Sequence, residues 1–254
     1  MRLLIILFFL PIVVFGQSKD YQLFKFQDSL KNSSPVYHYN YKKIIIPAVF
    51  VGYGLASLFS EELIELNTST RYETREHISS GSAIDNYMQY APAAAVYGLN
   101  SFGINGKHNL RDRTILYAGS QLILAAIVMP SKKLIAEERP DGSNHLSFPS
   151  GHTATAFSSA QFLFREYQGR NFWLSISGYP IAAATGIYRI LNDRHWVGDV
   201  VAGAGIGILS TELSYWMFPY TSHLLHSKRN HDGSLFISPT YHDHEIGFAM
   251  VKNF

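Results

Sequence analysis

Six apolar segments, each close to or slightly below one membrane thickness, constrain this chain more than any other feature. They run Ile44–Phe59, Tyr87–Ile104, Thr114–Met129, Thr153–Phe164, Phe172–Leu191 and Val197–Phe218. A full helical crossing takes about 20 apolar residues. Period-2 alternation occurs only near the end, in SLFISPTY and EIGFAMV. Glycine and alanine recur in the segments, as in GAGIG from Gly203 to Gly207, and small residues let helices approach closely. The pattern predicts an all-α fold: a bundle of about six helices with short connections, membrane-embedded, over residues 44–218. Only 16% of residues are charged and 47% are hydrophobic, which suits that reading. A net charge of +2 gives no reason to expect a nucleic-acid partner, and the absence of cysteine excludes disulfides, thiolate metal sites and a cysteine nucleophile.

Outside the bundle the chain is polar. Residues 1–16, MRLLIILFFLPIVVFG, have one arginine, an apolar run and small residues at Val14 and Gly16, the shape of a secretory signal peptide. Residues 17–43 form a mixed polar segment, and residues 219–254 a polar tail with possible strands. The tail histidines His223, His226, His231, His242 and His244 follow no regular ligand spacing, so no metal is expected there.

The informative residues lie in the connections. Pro130–Ser150 follows the third segment, Ile190–Trp196 follows the fifth, and the turn Pro149-Ser150-Gly151-His152 precedes the fourth. In an up-and-down bundle all three lie at one end. That end collects Lys132 and Arg139, read as two turns apart on one helix face ended by Pro140. It also collects Ser150, Gly151 and His152, and Arg189, His195 and Asp199 from YRILNDRHWVGD. Three cations with one carboxylate suit a highly charged anion, and arginine forks match phosphate oxygens. Ser150 is a good N-cap and Gly151 admits close approach to the backbone, so the following helix offers N–H groups and a positive dipole end. His195 and Asp199, spaced i and i+4, share a helix face. The carboxylate can hold one ring N–H and leave the other nitrogen to attack phosphorus. His152 is then placed to protonate a leaving oxygen and activate water. No cofactor is called for. Lys133, Glu137, Glu138, Asp193 and Arg194 read as solvated neighbours, and Trp196 as packing or an interfacial anchor.

Lys132-x6-Arg139-Pro140, Pro149-Ser150-Gly151-His152 and Arg189-x5-His195-x3-Asp199, in that order, resemble the three-part signature of the type 2 phosphatidic acid phosphatase and vanadium haloperoxidase superfamily, which includes the bacterial class A acid phosphatases. The resemblance implies metal-independent phosphomonoester hydrolysis through a phosphohistidine. His195 would be nucleophile, Asp199 its orienting partner and His152 general acid and base, with Lys132, Arg139, Ser150, Gly151 and Arg189 binding phosphate. Its substrates would be lipid phosphates or diphosphates such as phosphatidic acid, isoprenyl diphosphates or lipid A phosphates. The alternatives are a soluble periplasmic acid phosphatase of broad specificity and a vanadate-dependent haloperoxidase. The chain departs from the pattern at Tyr188, where the family usually has serine.

Topology is in tension within the sequence. An exported residue 17 followed by six spans would leave the active end in the cytoplasm. The opposite end, however, holds Lys107, Arg111, Arg113, Arg165, Arg170, Lys228 and Arg229, which by the positive-inside rule puts the active end outside. Either an early segment fails to span, or the first run is not a signal peptide, or the bundle spans nothing. The expected location is a bacterial inner membrane with the site facing the periplasm.

Overall fold

The computed structural model describes residues 41–77, 83–225, 235–242 and 245–252. The signal-peptide reading of residues 1–16 and nearly all of the 17–43 segment fall outside these, as do the side chains of the tail histidines. Nine helices occur among the described residues: α1 Lys42–Ala56, α2 Glu61–His77, α3 Asp85–Met88, α4 Ala91–Ser101, α5 Leu110–Ile135, α6 Gly151–Tyr167, α7 Phe172–Ile176, α8 Gly178–Leu191 and α9 Val197–Leu225. Two tail strands, β1 Leu235–His242 and β2 Glu245–Lys252, pair antiparallel with Leu235 opposite Lys252. The core is an all-helical bundle, as the apolar segments predict, but its elements are more numerous and less even than six.

The segment at 87–104 yields the single turn α3 and the 11-residue α4. At 1.5 Å per residue α4 extends about 16 Å, well short of a bilayer core. The segment at 172–191 is split between α7 and α8, whose junction is Ser177. α2, EELIELNTSTRYETREH, has no apolar stripe and went unforeseen. Glu61 and Glu62 in its first turn complement the helix dipole. Polar contacts dock it: Arg71 Nε and Arg75 Nε lie 3.2 and 3.3 Å from Asp193, and Asn67 Oδ1 accepts from Gly198 N–H.

α5 and α9 are long and apolar enough to cross a membrane, and α1 with α2, bent by 87°, would make a third crossing if taken as one broken span. The two long helices differ in surroundings. α9 is buried over 67% of its apolar stretch, α5 over only 22%. Leu122, Met129 and Leu134 point outward from α5. Large apolar side chains exposed along a long helix have lipid, not water, as their favourable neighbour.

α6 is the central post. Its first half, GHTATAFSSA, carries small side chains, so α8 and α9 come close; its second half fills the core with Phe162, Leu163 and Tyr167 against Val96, Leu116, Tyr215 and Phe218. α9 meets it through glycine. A Cβ on Gly203 would lie 2.5 Å from Ser150 O, and one on Gly207 would run into the carbonyl of Ala154. Gly203→Ala should therefore lower the melting temperature of detergent-solubilised protein. Overpacking costs about 1–3 kcal/mol, more than the roughly 1 kcal/mol that alanine adds over glycine in helix propensity. Gly52→Ala, where a Cβ meets nothing within 4 Å, should be neutral or stabilising. Equal effects at the two positions would mean that α6 and α9 are not in register as described.

The far end of the bundle is closed by a polar network. Glu166 holds His108 Nδ1 at 2.6 Å and accepts from Tyr215 Oη at 2.7 Å, and Arg113 donates to His108 O. Arg165 lies 3.6 Å from Glu212. Two of the cations counted for topology, Arg113 and Arg165, are thus buried in that network.

Candidate active site

The three predicted connections do meet at one end. Ser150 N–H donates to Asp199 O, Trp196 Nε1 donates to Glu138 O, and Arg194 pairs with Asp141 at 2.9 Å. Asp193, at φ +57°, turns the chain between α8 and α9, a conformation short polar side chains tolerate. Its carboxylate is held by Arg71 and Arg75, and Arg71 also lies over the Trp196 ring, 5.7 Å from its centroid. Asp193, read as solvated, is thus a brace of the site's wall; Trp196 packs there as one of its two readings has it, and Arg194 stays exposed, as expected.

One local expectation fails. α5 does not run on to Pro140. It ends at Ile135, and Ala136 takes the left-handed conformation at φ +50°, ψ +38°. Lys132 is thus in the last helical turn, while Arg139 sits in an extended strap, and the two do not share a helix face. Proline disfavours helix at the residue before it, and the strap finds other partners: Arg139 N–H donates to Asn144 O, and Ser147 N–H to Glu137 O. Lys132 Nζ reaches across the strap to Leu146 O at 2.7 Å and Ser147 O at 3.1 Å.

Ser150 is the N-cap of α6, wholly buried, with its Oγ accepting from Thr153 N–H. Gly151 opens the helix with only Val128 near its missing Cβ, at 3.9 Å. His152 follows, half-buried, its Nε2 2.8 Å from Asn86 Oδ1. Arg189, at the end of α8, is buried and pairs through Nη1 with Asp85 Oδ2 at 2.6 Å. Nε of Arg139 and Nε of Arg189 are buried without an acceptor among the described residues. Buried guanidinium N–H groups call for an acceptor, and an anion between the two would supply it.

His195 is 2% exposed and precedes α9. Its Nδ1 lies 3.3 Å from Asp199 Oδ2 and 3.5 Å from Ser147 Oγ. Asp199 Oδ2 also accepts from Ser147 Oγ at 2.5 Å and from Trp196 N–H at 3.0 Å. The last bond is half of a capping box, so the carboxylate that orients the imidazole also starts the helix. Burial, opposed by Asp199 and reinforced by Lys132 and Arg189, lowers the His195 pKa to about 4; burial with Arg189, Arg139 and Lys132 does the same for His152, also to about 4. Both imidazoles are neutral at physiological pH in this state. With Nδ1 turned to Asp199, Nε2 of His195 carries the available lone pair.

The eight residues singled out in the sequence stand at this end: Ser150 N–H bonds Asp199 O, Asp199 faces His195, and Lys132, Arg139 and Arg189 lie near enough to act on one another's charge. Four others were missed. Asp85 and Asn86 come from α3, 104 and 66 residues away from their partners, and nothing in AIDNYM marks them. Ser147 lies in the Pro130–Ser150 connection and carries no sequence signal of its role. Glu137 was read as solvated, yet its carboxyl is half-buried against Asp199.

Residues 128–222 match the family model described as PAP2 superfamily. The lipid A 1-phosphatase of Porphyromonas gingivalis is 37% identical over 164 residues, covering 63% of this chain and 37% of that protein. The lipid A 1-phosphatase of Helicobacter pylori is 38% identical over 77 residues, covering 30% of this chain and 38% of that protein. The chain thus spans well under half the length of these curated relatives. Among solved structures, the transmembrane PAP2-type phosphatidylglycerolphosphate phosphatase of Bacillus subtilis overlays with a TM-score of 0.44 at 20% identity, covering 75% of this chain and all of that one.

Proposed function

We propose that this chain, whose residues 128–222 belong to the PAP2 superfamily, is a membrane phosphatase that removes phosphate from a lipid phosphomonoester or diphosphate through a phosphohistidine, without a metal. The observation that carries the reading is the buried His195, backed by Asp199 at 3.3 Å, with the Lys132, Arg139 and Arg189 cations at the same end of the bundle.

Lys132, Arg139, Arg189 and the N–H groups of the Ser150–Gly151–His152 turn hold the phosphoryl oxygens. Fixed cations in a water-poor site stabilise the charge of the transferring group without reorganising. Nε2 of His195 attacks phosphorus in line. A P–N bond forms as the P–O bond to the lipid breaks, and the departing oxygen takes its proton from His152. His152 then removes a proton from water, whose oxygen attacks phosphorus; the P–N bond breaks and inorganic phosphate leaves. The dianionic ester raises the proton affinity of His152 when it binds, so an imidazole that is neutral in the unliganded protein becomes the acid in the complex. Asp199 keeps its negative charge opposite the imidazolium that develops on His195.

Candidate substrates are lipid A phosphates, phosphatidic acid and isoprenyl diphosphates. The names of the relatives put lipid A 1-phosphate first. The outward apolar face of α5 supports a substrate delivered from the bilayer, and Lys107, Arg111 and Arg170 at the far end support a site on the outer face of the membrane. The test is phosphate release by purified protein in detergent micelles, with lipid A, phosphatidic acid, an isoprenyl diphosphate and a soluble phosphomonoester compared. Release from at least one lipid should exceed that from the soluble ester. Micromolar vanadate, which mimics the five-coordinate phosphorus, should inhibit it, and a chelator should not. Preference for the soluble ester would overturn the lipid assignment, and chelator sensitivity the metal-free mechanism.

A further inference from the structure

Two carboxyl groups touch in the wall of the site. Glu137 Oε2 and Asp199 Oδ1 are both buried, and no N–H or O–H of another described residue reaches either one. Asp199 Oδ2 already takes Ser147 Oγ and Trp196 N–H and faces His195 Nδ1. The carboxyl of Glu137 is in hydrogen-bond contact with Asp199. Two carboxylates have acceptors only, so the contact holds only if one carries a proton.

We propose that Glu137 is a positioning residue: a neutral carboxylic acid that donates its proton to Asp199 Oδ1 and so fixes the carboxylate that orients His195. The inference rests on His195 acting as the nucleophile. The assignment of the proton to Glu137 follows from the donors. Asp199 Oδ2 faces three donors, Ser147 O–H, Trp196 N–H and His195 Nδ1–H, whereas Glu137 has the Lys132 cation near it, and Lys132 Nζ is engaged by the carbonyls of Leu146 and Ser147. Burial first, then the bond to and repulsion from Asp199, hold the Glu137 carboxyl well above the usual carboxylate range. The strap geometry serves this arrangement: the left-handed turn at Ala136 ends α5 one residue earlier, and Ser147 N–H clamps Glu137 O, so one residue binds the strap by its backbone and Asp199 by its side chain.

The groups facing the pair are Lys132 from α5, Ser147 from the strap, and His195 and Asp199 from α9 and its entry, with Arg139 and Arg189 across the site. In the alkaline range where Glu137 ionises, the bond to Asp199 becomes a repulsion, and kcat should fall. Glu137→Gln keeps a donor that cannot ionise. It should retain kcat within about threefold at pH 7 and lose the part of the alkaline decline that Glu137 causes, while Lys132, unchanged, still contributes its own. Glu137→Ala should lower kcat by about 10–100-fold, the range seen for partners behind a reacting group, with KM changed less than threefold. Difference infrared spectroscopy of wild type minus Glu137→Gln should show the carbonyl stretch of a protonated carboxylic acid at pH 7.

Absence of that band, or identical alkaline profiles in wild type and Glu137→Gln, overturns the proposal. So does a Gln variant as impaired as the Ala variant, which would make Glu137 a packing residue. If the band is present but wild type releases phosphate from no substrate, the acid pair stands and the phosphatase reading fails.

Discussion

His195→Ala abolishes turnover: kcat should fall by about 10⁶-fold, the scale on which loss of a catalytic nucleophile acts. No neighbour can substitute. Asp199 is behind the ring, Ser147 Oγ is committed to Asp199, and His152 is tied through Nε2 to Asn86 at 2.8 Å. KM should change little, because Lys132, Arg139, Arg189 and the α6 N-terminus still bind the phosphate. The variant should remain folded. A buried imidazole is replaced by a smaller apolar side chain, and the Ser147 and Trp196 bonds to Asp199 survive. Phosphate release assayed with the best lipid substrate, alongside thermal unfolding, separates the two outcomes. Retained turnover in a folded His195→Ala variant removes His195 from the chemistry.

His152→Ala has a smaller and more selective effect. General acid–base groups contribute about 10²–10⁴-fold, and His152 acts in both half-reactions. Its loss should slow P–O cleavage most for poor leaving groups. An ester with an activated phenolic leaving group needs little protonation, so the variant should approach the wild-type rate of phosphoenzyme formation with it. Breakdown, which needs water activated, should stay slow, so phosphoenzyme should accumulate. Pre-steady-state bursts with an activated and an alkyl phosphate test this; an equal deficit with both esters and no burst would assign His152 to phosphate binding instead. Asn86→Ala should perturb the same step, since Asn86 Oδ1 fixes which ring nitrogen carries the proton.

What the sequence makes legible is the set of groups whose chemistry is local. The N-cap at Ser150, the His195–Asp199 face and the convergence of three connections follow from spacing and from the alternation of apolar segments. The strap is not legible in the sequence because Lys132 and Arg139, seven apart, mimic a helix face, and the left-handed turn at Ala136 carries no glycine to announce it. α2 escaped because it is docked by polar pairs, Arg71 and Arg75 to Asp193 and Asn67 to Gly198, rather than by an apolar stripe. Asp85 and Asn86 belong to pairings that only the folded chain creates. Glu137 looked like one acid in a charged run, KKLIAEERP, and its meaning depends on a carboxylate 62 positions on, which composition cannot reveal.

The most direct test is to quench wild-type protein during turnover of a lipid phosphate and map the phosphorylated residue by mass spectrometry under alkaline conditions, where phosphohistidine survives. The account predicts phosphate on His195, more of it in His152→Ala, and none in His195→Ala. Phosphate on another residue, or full turnover with no phosphoenzyme in any variant, would contradict it.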